Sequence, residues 1–348
     1  MDEPTSALSS SEVEILFSVI HELKQNGVSI IYISHKLDEL MQIGDYITVL
    51  RDGKLMAERP MSEIDITWII EEMVGRNPAT LFHYQERELG DELLRVEEMA
   101  LPRVGGGFSV DHVSFSLRRG EIIGIYGLMG AGRSELFESL VGLHPEASGR
   151  VWLDGAEVKS ADVRKRIQLG MSLVPEDRQR EGLIQSMSVA NNMLLASLQK
   201  YLNGFYLSRK KEDTSVGSMI KEMSVKTASP KQLVSALSGG TQQKVVVAKS
   251  LLTTPKVLLL DEPTRGIDVG AKSEIFEIMD RLAGEGYGIV FASSELKEVL
   301  AMSDRVLVMS KGLVTGEFSR SEATEERLVA ASAIGHGPRG QHSSESDD

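Results

Sequence analysis

Cysteine is absent from this 348-residue chain, and with it go disulfides and thiolate metal sites. Long apolar runs are lacking too: none approaches the roughly 18 residues that a membrane-spanning helix needs. The N-terminus carries no basic-then-apolar leader, so secretion is not expected. Positive charge is in deficit, with 38 Lys and Arg against 51 Asp and Glu and a net charge of −13. A surface that acidic repels polyphosphate strands, so nucleic acid is not an expected partner. The short basic clusters Arg164-Lys165-Arg166 and Arg209-Lys210-Lys211 read as solvated helix faces. What is present is 41% apolar and 26% charged, the balance of a globular protein able to bury a core. At roughly 150 residues per domain, the length suggests two units.

The chain repeats itself. Asp2-Glu3-Pro4-Thr5 recurs as Asp261-Glu262-Pro263-Thr264, and the register then holds without a gap. Phe17 matches Phe276, Gly27 matches Gly286, and Ser34 matches Ser293. Leu37 matches Leu296, Glu39 matches Glu298, Asp45 matches Asp304, and Gly53 matches Gly312. Such self-similarity marks a duplicated unit. The duplication is lopsided, because roughly residues 93–260 precede the second Asp-Glu and only Met1 precedes the first.

Local patterns point to an α/β fold. Residues 113–117 alternate apolar and polar, as a half-exposed strand does. Residues 122–126 form a continuous apolar run suited to a buried parallel strand. Asp154-Gly155, between Val151-Trp152-Leu153 and Val158, reads as a hairpin turn. Helical spacing over 273–283 ends in a glycine-rich stop. Apolar runs at 289–292 and 306–309 predict two more strands with a helix between them, and runs around 29–33 and 46–50 predict strands in the first copy. Residues 61–92 read as the link between copies, and the tail 335–348 as disordered.

Three motifs carry chemistry. Gly127-Leu128-Met129-Gly130-Ala131-Gly132-Arg133-Ser134 follows the buried strand and opens a helical pattern. That is the phosphate-loop arrangement: glycines fold the backbone around a phosphate, the helix adds its dipole, and Ser134 reaches a Mg²⁺. Arg133 stands where lysine is expected, a flat fork in place of a point charge. Val257-Leu258-Leu259-Leu260 reads as a buried strand that delivers two carboxylates, Asp261 to hold a Mg²⁺-bound water and Glu262 to polarise an attacking one. Ser238-Gly239-Gly240-Thr241 precedes a helix and offers an anion bare N–H groups and a hydroxyl.

Together these stretches resemble the nucleotide-binding domains of ABC transporters, at the Walker A, signature and Walker B positions. Gly130-Ala131-Gly132-Arg133-Ser134, Pro175-Glu176-Asp177-Arg178, the run from Leu237 to Lys244 and the stretch 261–272 look like the second half of the fused double ATPase of bacterial sugar importers. Asp2-Glu3-Pro4-Thr5-Ser6-Ala7-Leu8 with Ser34-His35 looks like the first half. The resemblance implies a P-loop NTPase fold of ABC type, with an antiparallel β subdomain and a helical subdomain near 186–235. A partial copy of the same fold would precede it: residues 1–60 as a remnant, 61–92 as linker and 93–334 as the second domain.

Further roles come from the resemblance alone. His35 sits at the switch-histidine position beside Glu3, and Ser294 occupies that place in the second copy. Glu176 stands where a γ-phosphate-sensing glutamine is usual, Thr241 replaces the common fifth signature residue, and Asp268 is the D-loop acid, matched by Ser9. Phe108 is the one weak candidate for stacking on adenine. The implied cofactors are ATP and Mg²⁺. The implied partners are membrane permease subunits, a periplasmic sugar-binding protein and an N-terminal nucleotide-binding half, with the protein peripheral on the cytoplasmic face of a bacterial inner membrane. Since the first-half phosphate loop and signature would fall upstream of Met1, neither composite ATP site is expected to be complete. A purine-nucleoside importer subunit, a soluble twin ATPase and an inert scaffold are the alternative readings.

Overall fold

The computed structural model describes residues 1–334 apart from Glu3, Ser6, Ala7, Ser9, His35, Asp52, 75–83, 160–161 and 204–205. The expected tail 335–348 therefore lies outside the described residues. Two compact units are present: Met1–Phe82 with Asp268–Ser273, and His83–Ile267 with Glu274–Asp348.

The first unit contains α1 (Ser10–Gln25), α2 (Leu37–Ile43), the antiparallel hairpin β1 (Tyr46–Arg51) and β2 (Lys54–Pro60), and α3 (Ile66–Val74). Its core is small: Ile47, Val49, Met61 and Ile69 are buried together. Met61 and Ile69, within the stretch expected as a linker, pack in that cluster. The strand expected at 29–33 does not form. Ile33 makes an isolated bridge to Asp2, and Ile31 is 82% exposed. A buried parallel strand needs neighbours on both edges, and none of the first unit's described strands lies beside this run.

The second unit is a layered α/β body. Its elements run β3 (Glu92–Pro102), β4 (Phe108–Arg118), β5 (Ile122–Tyr126), α4 (Arg133–Val141), β6 (Ser148–Leu153), β7 (Ala156–Glu157), α5 (Val163–Leu169) and β8 (Met171–Val174). There follow α6 (Val189–Leu194), β9 (Leu202–Asn203), β10 (Tyr206–Leu207), α7 (Arg209–Glu222), α8 (Gly239–Leu251) and β11 (Val257–Asp261). The chain closes with α9 (Val269–Gly284), whose residues up to Ser273 are grouped with the first unit, then β12 (Gly288–Ala292), α10 (Leu296–Met302), β13 (Arg305–Ser310), β14 (Leu313–Ser319) and α11 (Glu325–Ser332).

One sheet runs β14-β13-β5-β12-β11-β8, parallel except at the β14 edge. All five residues of β5, β11 and β12 are buried, as the continuous apolar runs require. A second, antiparallel sheet runs β4-β3-β6-β7. Asp154 (φ 56°) and Gly155 (φ 76°) make its β6–β7 turn, both left-handed as a type I′ hairpin demands. The two sheets pack closely: a Cβ on Gly288 would come within 2.7 Å of Leu117 and 2.8 Å of Leu93. The arm expected near 186–235 holds α6 and α7, with the short β9–β10 hairpin between them.

Elements recur at the repeat offset. The limits of α1, α2, β1 and β2 each return 259 residues later as those of α9, α10, β13 and β14. The irregularity between Val49 and Leu50 returns between Val308 and Met309. Thr5 Oγ1 donates to Glu39 Oε2 at 2.7 Å, and Thr264 Oγ1 donates to Glu298 Oε2 at 2.7 Å. Ser34 and Ser293 bond to the same two carboxylates, at 3.5 and 2.7 Å.

The segment leading into β3 is strapped to the second unit. Tyr84 donates to Asp304 Oδ1 at 2.8 Å, and Asp304 Oδ2 accepts from the Ile122 N–H at the start of β5. Arg320 lies 3.5 Å over the Tyr84 ring, and Arg87 pairs with Asp280 at 2.5 Å. Burial, then the Asp304 carboxylate, push the Tyr84 phenol up to about 12. The raised value favours the neutral phenol in the folded state. The Tyr84 contribution is therefore whole below pH 10 and is lost as pH rises through about 12. Tyr84→Phe is expected to cost about 1 kcal/mol at pH 8, because a partly exposed phenol gains no more than an ordinary hydrogen bond. Urea melts of both proteins at pH 8 and pH 11 should show that gap narrowing at the higher pH.

Candidate functional site: the tips of β5 and β11

The loop after β5 is shaped by its glycines. A Cβ on Gly127 would meet the Met309 carbonyl oxygen at 2.4 Å, so only glycine fits there. Gly132 takes φ 96° as the residue before α4, and a Cβ on it would strike the Ser109 carbonyl oxygen at 2.3 Å. Gly130 is also left-handed, at φ 78°. The turn is held by Ala131 N–H to Leu128 O at 3.0 Å and Gly312 N–H to Ala131 O at 2.9 Å.

Arg133 opens α4 and points at β11. Its Nη2 lies 3.0 Å from Glu262 Oε1, with the two side chains 11% and 7% exposed. Ser294 Oγ donates to the other Glu262 oxygen at 3.2 Å. Both Glu262 oxygens are thus engaged. Arg133 Nη1 is buried with no hydrogen-bond partner. Glu262 itself has φ 44°, a left-handed conformation that costs a non-glycine residue about 1–2 kcal/mol. Its N–H donates to Ala292 O at 3.0 Å, which prolongs the β11–β12 ladder and fixes the carboxylate beyond the strand end.

Asp261 ends β11 and is buried. Burial pushes its carboxyl up to about 6, opposed first by the Ser134 hydroxyl and then by Arg133. Burial likewise raises Glu262, against the pull of Arg133 and Ser294. Five residues singled out from sequence therefore meet: Arg133, Ser134, Asp261, Glu262 and Ser294. Among the described residues, no group of three or more His, Cys, Asp or Glu could hold a metal alone. Asp261 and Ser134 offer two hard oxygens, which suits a Mg²⁺ whose other ligands are phosphate oxygens and water. The unpartnered Arg133 nitrogen and the glycine cradle suit the phosphates themselves.

Ser238 caps α8, accepting from the Thr241 N–H, and its Oγ lies 3.0 Å from Thr241 Oγ1. Gly239 packs beneath Arg178: a Cβ there would come within 2.8 Å of Arg178 Nη2 and 3.2 Å of Gly266 O. Gly240 and Thr241 are buried in the first turn. Arg178 has no role assigned from its sequence pattern alone. Its guanidinium donates to Arg265 O at 2.6 Å and Gly266 O at 2.9 Å, tying the turn after Glu262 to the loop after β8. A lone arginine in a loop carries no signal of such a partner.

Glu176 forms an ion pair with Arg265, a contact not anticipated from the sequence. The Asp268 carboxylate accepts from the Ala271 N–H at 2.9 Å, a cap on α9. Phe108 is 39% exposed and stands edge-on to His112. Glu3, His35 and Ser9 lie outside the described residues.

Removing one partner of a buried ion pair leaves a bare charge, which costs about 3–5 kcal/mol. Arg133→Ala is expected to lower the unfolding free energy by that amount. Arg133→Ala combined with Glu262→Ala should recover much of the loss, since no charge is then left unpaired. Denaturant melts of the four proteins in a double-mutant cycle give the coupling directly.

The ABC transporter family matches over residues 110–265. A xylose import ATP-binding protein of Pseudomonas syringae pv. tomato is 48% identical over 339 residues, 97% of this chain and 64% of that protein. A putative ribose/galactose/methyl galactoside import ATP-binding protein of Rhizobium etli is 47% identical over 97% of this chain and 63% of its own length. A xylose import ATP-binding protein of Geobacillus kaustophilus is 46% identical over 96% of this chain and 67% of its own length. The chain spans about two thirds of the length of these relatives. Among solved structures, cbiO1 of Clostridium perfringens, part of an ABC transporter complex, has a TM-score of 0.58 at 26% identity, covering 70% of this chain and 94% of that one. A nucleotide-free ATP-binding cassette of an ABC transporter has a TM-score of 0.60 at 21% identity, covering 69% of this chain and 96% of that one. The phosphate-loop fold and these relatives give one conclusion: the chain belongs to the ABC transporter ATP-binding proteins.

Proposed function

We propose that this chain serves as an ATP-binding, energy-coupling component of a carbohydrate importer. The observation that carries the reading is the meeting of Arg133, Ser134, Asp261 and Glu262 at the tips of β5 and β11. The glycine cradle would take the phosphates, with Arg133 Nη1 donating to one of them. Ser134 and Asp261 would hold Mg²⁺, which supplies charge neutralisation when bound. Membrane permease subunits and a periplasmic sugar-binding protein are the partners this reading requires, at the cytoplasmic face of the membrane. Among the described residues no helix is long and apolar enough to cross a membrane.

The second-unit site holds nucleotide rather than turning it over. A general base must take up a proton from the attacking water. Arg133 on one Glu262 oxygen and Ser294 on the other both favour the charged carboxylate and so oppose that uptake. The first unit is read as the C-terminal part of another nucleotide-binding domain, a reading supported by the recurrence of four elements and the Thr–Glu–Ser bonds at one offset. Glu3 and His35 would then serve a second nucleotide, at a site that also needs the phosphate loop of that other domain.

Fluorescence titration with a labelled ATP in the presence of Mg²⁺ tests the binding. Arg133→Ala should weaken affinity at least tenfold, the loss of about 1.5–3 kcal/mol for a charge-assisted bond. Phosphate release from the purified chain should stay near background. Robust turnover abolished by Glu262→Gln would overturn the proposal.

A further inference from the structure

Between the helical arm of the second unit, the end of α8 and Tyr287 lies a solvent-open cavity of about 640 Å³ that the nucleotide site does not use. Met219, Leu251 and Leu252 make an apolar floor, all three buried. Tyr201 and Tyr287 stand as aromatic walls, and Lys200, Lys210 and Lys211 stand on the rim. In a chain of net charge −13, three ammonium groups at one cavity run against the composition.

Those charges lack anionic partners. Lys200 Nζ donates to Leu252 O at 3.1 Å and Thr254 Oγ1 at 2.7 Å, both neutral acceptors. Burial pushes its pKa down, the direction of an ammonium without a carboxylate. Lys210 and Lys211 are exposed in the first turn of α7 and make no ion pair among the described residues. Glu222 is the single acid lining the cavity, and it pairs with Arg281 at 3.2 Å.

We propose that this cavity binds a small organic anion, its acid group on Lys200, Lys210 and Lys211 and its apolar or planar body on Met219, Leu251 and Leu252 beside Tyr287. The volume suits one small molecule, and a mostly apolar lining with a few convergent polar groups is what such sites have. An inorganic ion would leave the apolar floor uncovered. A neutral body would leave three cations unanswered.

Calorimetry on the full chain tests this with three probes: 2-naphthoate, its uncharged counterpart 2-naphthylmethanol, and acetate. None carries a phosphate, so failure here leaves the nucleotide reading untouched. One 2-naphthoate per chain is expected, with the other two at least tenfold weaker. The Lys210→Ala, Lys211→Ala double variant should lose at least tenfold in affinity, and Thr214→Trp, which fills the rim without touching the floor, should block binding. Lys54→Ala, in the first unit, should bind as the parent does, separating local contact from net charge. Circular dichroism confirms that each variant is folded. Affinity unchanged in both cavity variants would overturn the proposal. So would several molecules bound per chain with naphthylmethanol equal to naphthoate, which would mean simple adherence to exposed apolar surface.

Discussion

A single buried ion pair organises the site end of the parallel sheet. Arg133 comes from the loop after β5 and Glu262 from the end of β11, two strands that β12 keeps apart. A guanidinium can bond a carboxylate through one nitrogen and still present another, which a compact ammonium does with less directional control. The second nitrogen, Nη1, is the orphan. Taking both charges out of water is costly, so the pair is poor evidence of stability for its own sake. Its effect is positional: Glu262 is held in a left-handed backbone, with Ser294 on its far oxygen and Asp261 beside Ser134.

The internal repeat gains physical content from its hydrogen bonds. Thr5, Ser34 and Glu39 matched Thr264, Ser293 and Glu298 as letters. In space each trio is a pair of hydroxyls bonded to one buried carboxylate. Such a carboxylate is expensive to bury unless its oxygens are answered, and the two hydroxyls answer them. Tyr32 adds a third donor to Glu39, at 3.0 Å, where the second copy has Phe291. The first trio keeps its bonds even though its neighbouring apolar run, 29–33, has no sheet to join.

Much of the second unit was legible because its signals are local. The run 122–126 is apolar throughout, and Asp154-Gly155 can accept positive φ. Glycine spacing around Arg133 dictates a loop that no other residues could form. What could not be read depends on partners distant in sequence. The strand expected at 29–33 had the composition of a strand and lacked the flanking edges. The polar look of 61–92 hid Ile69, 1% exposed, and the Tyr84–Asp304 strap across 220 residues. Arg178 appeared only as part of a phrase, because its acceptors are main-chain carbonyls at Arg265 and Gly266, which carry no side-chain signature. The residues gathered around Arg133 were singled out one motif at a time, and their engagement with one another had no sequence signal.

The strand order also sets a timetable for the nascent chain. The hairpin of β1 and β2 closes over neighbouring residues and can form as soon as it leaves the ribosome. By contrast, β5 pairs with β12 and β13 and with nothing nearer: Ile122 waits for Ile289, and Tyr126 for Val308. At about 5–20 residues per second, the roughly 170 residues between them take on the order of 10–30 s to synthesise. Throughout that interval a fully buried strand has both edges open, and long-range parallel pairing is slow even once the partners exist. The strand that leads into the glycine loop is therefore the one that waits longest for its partners.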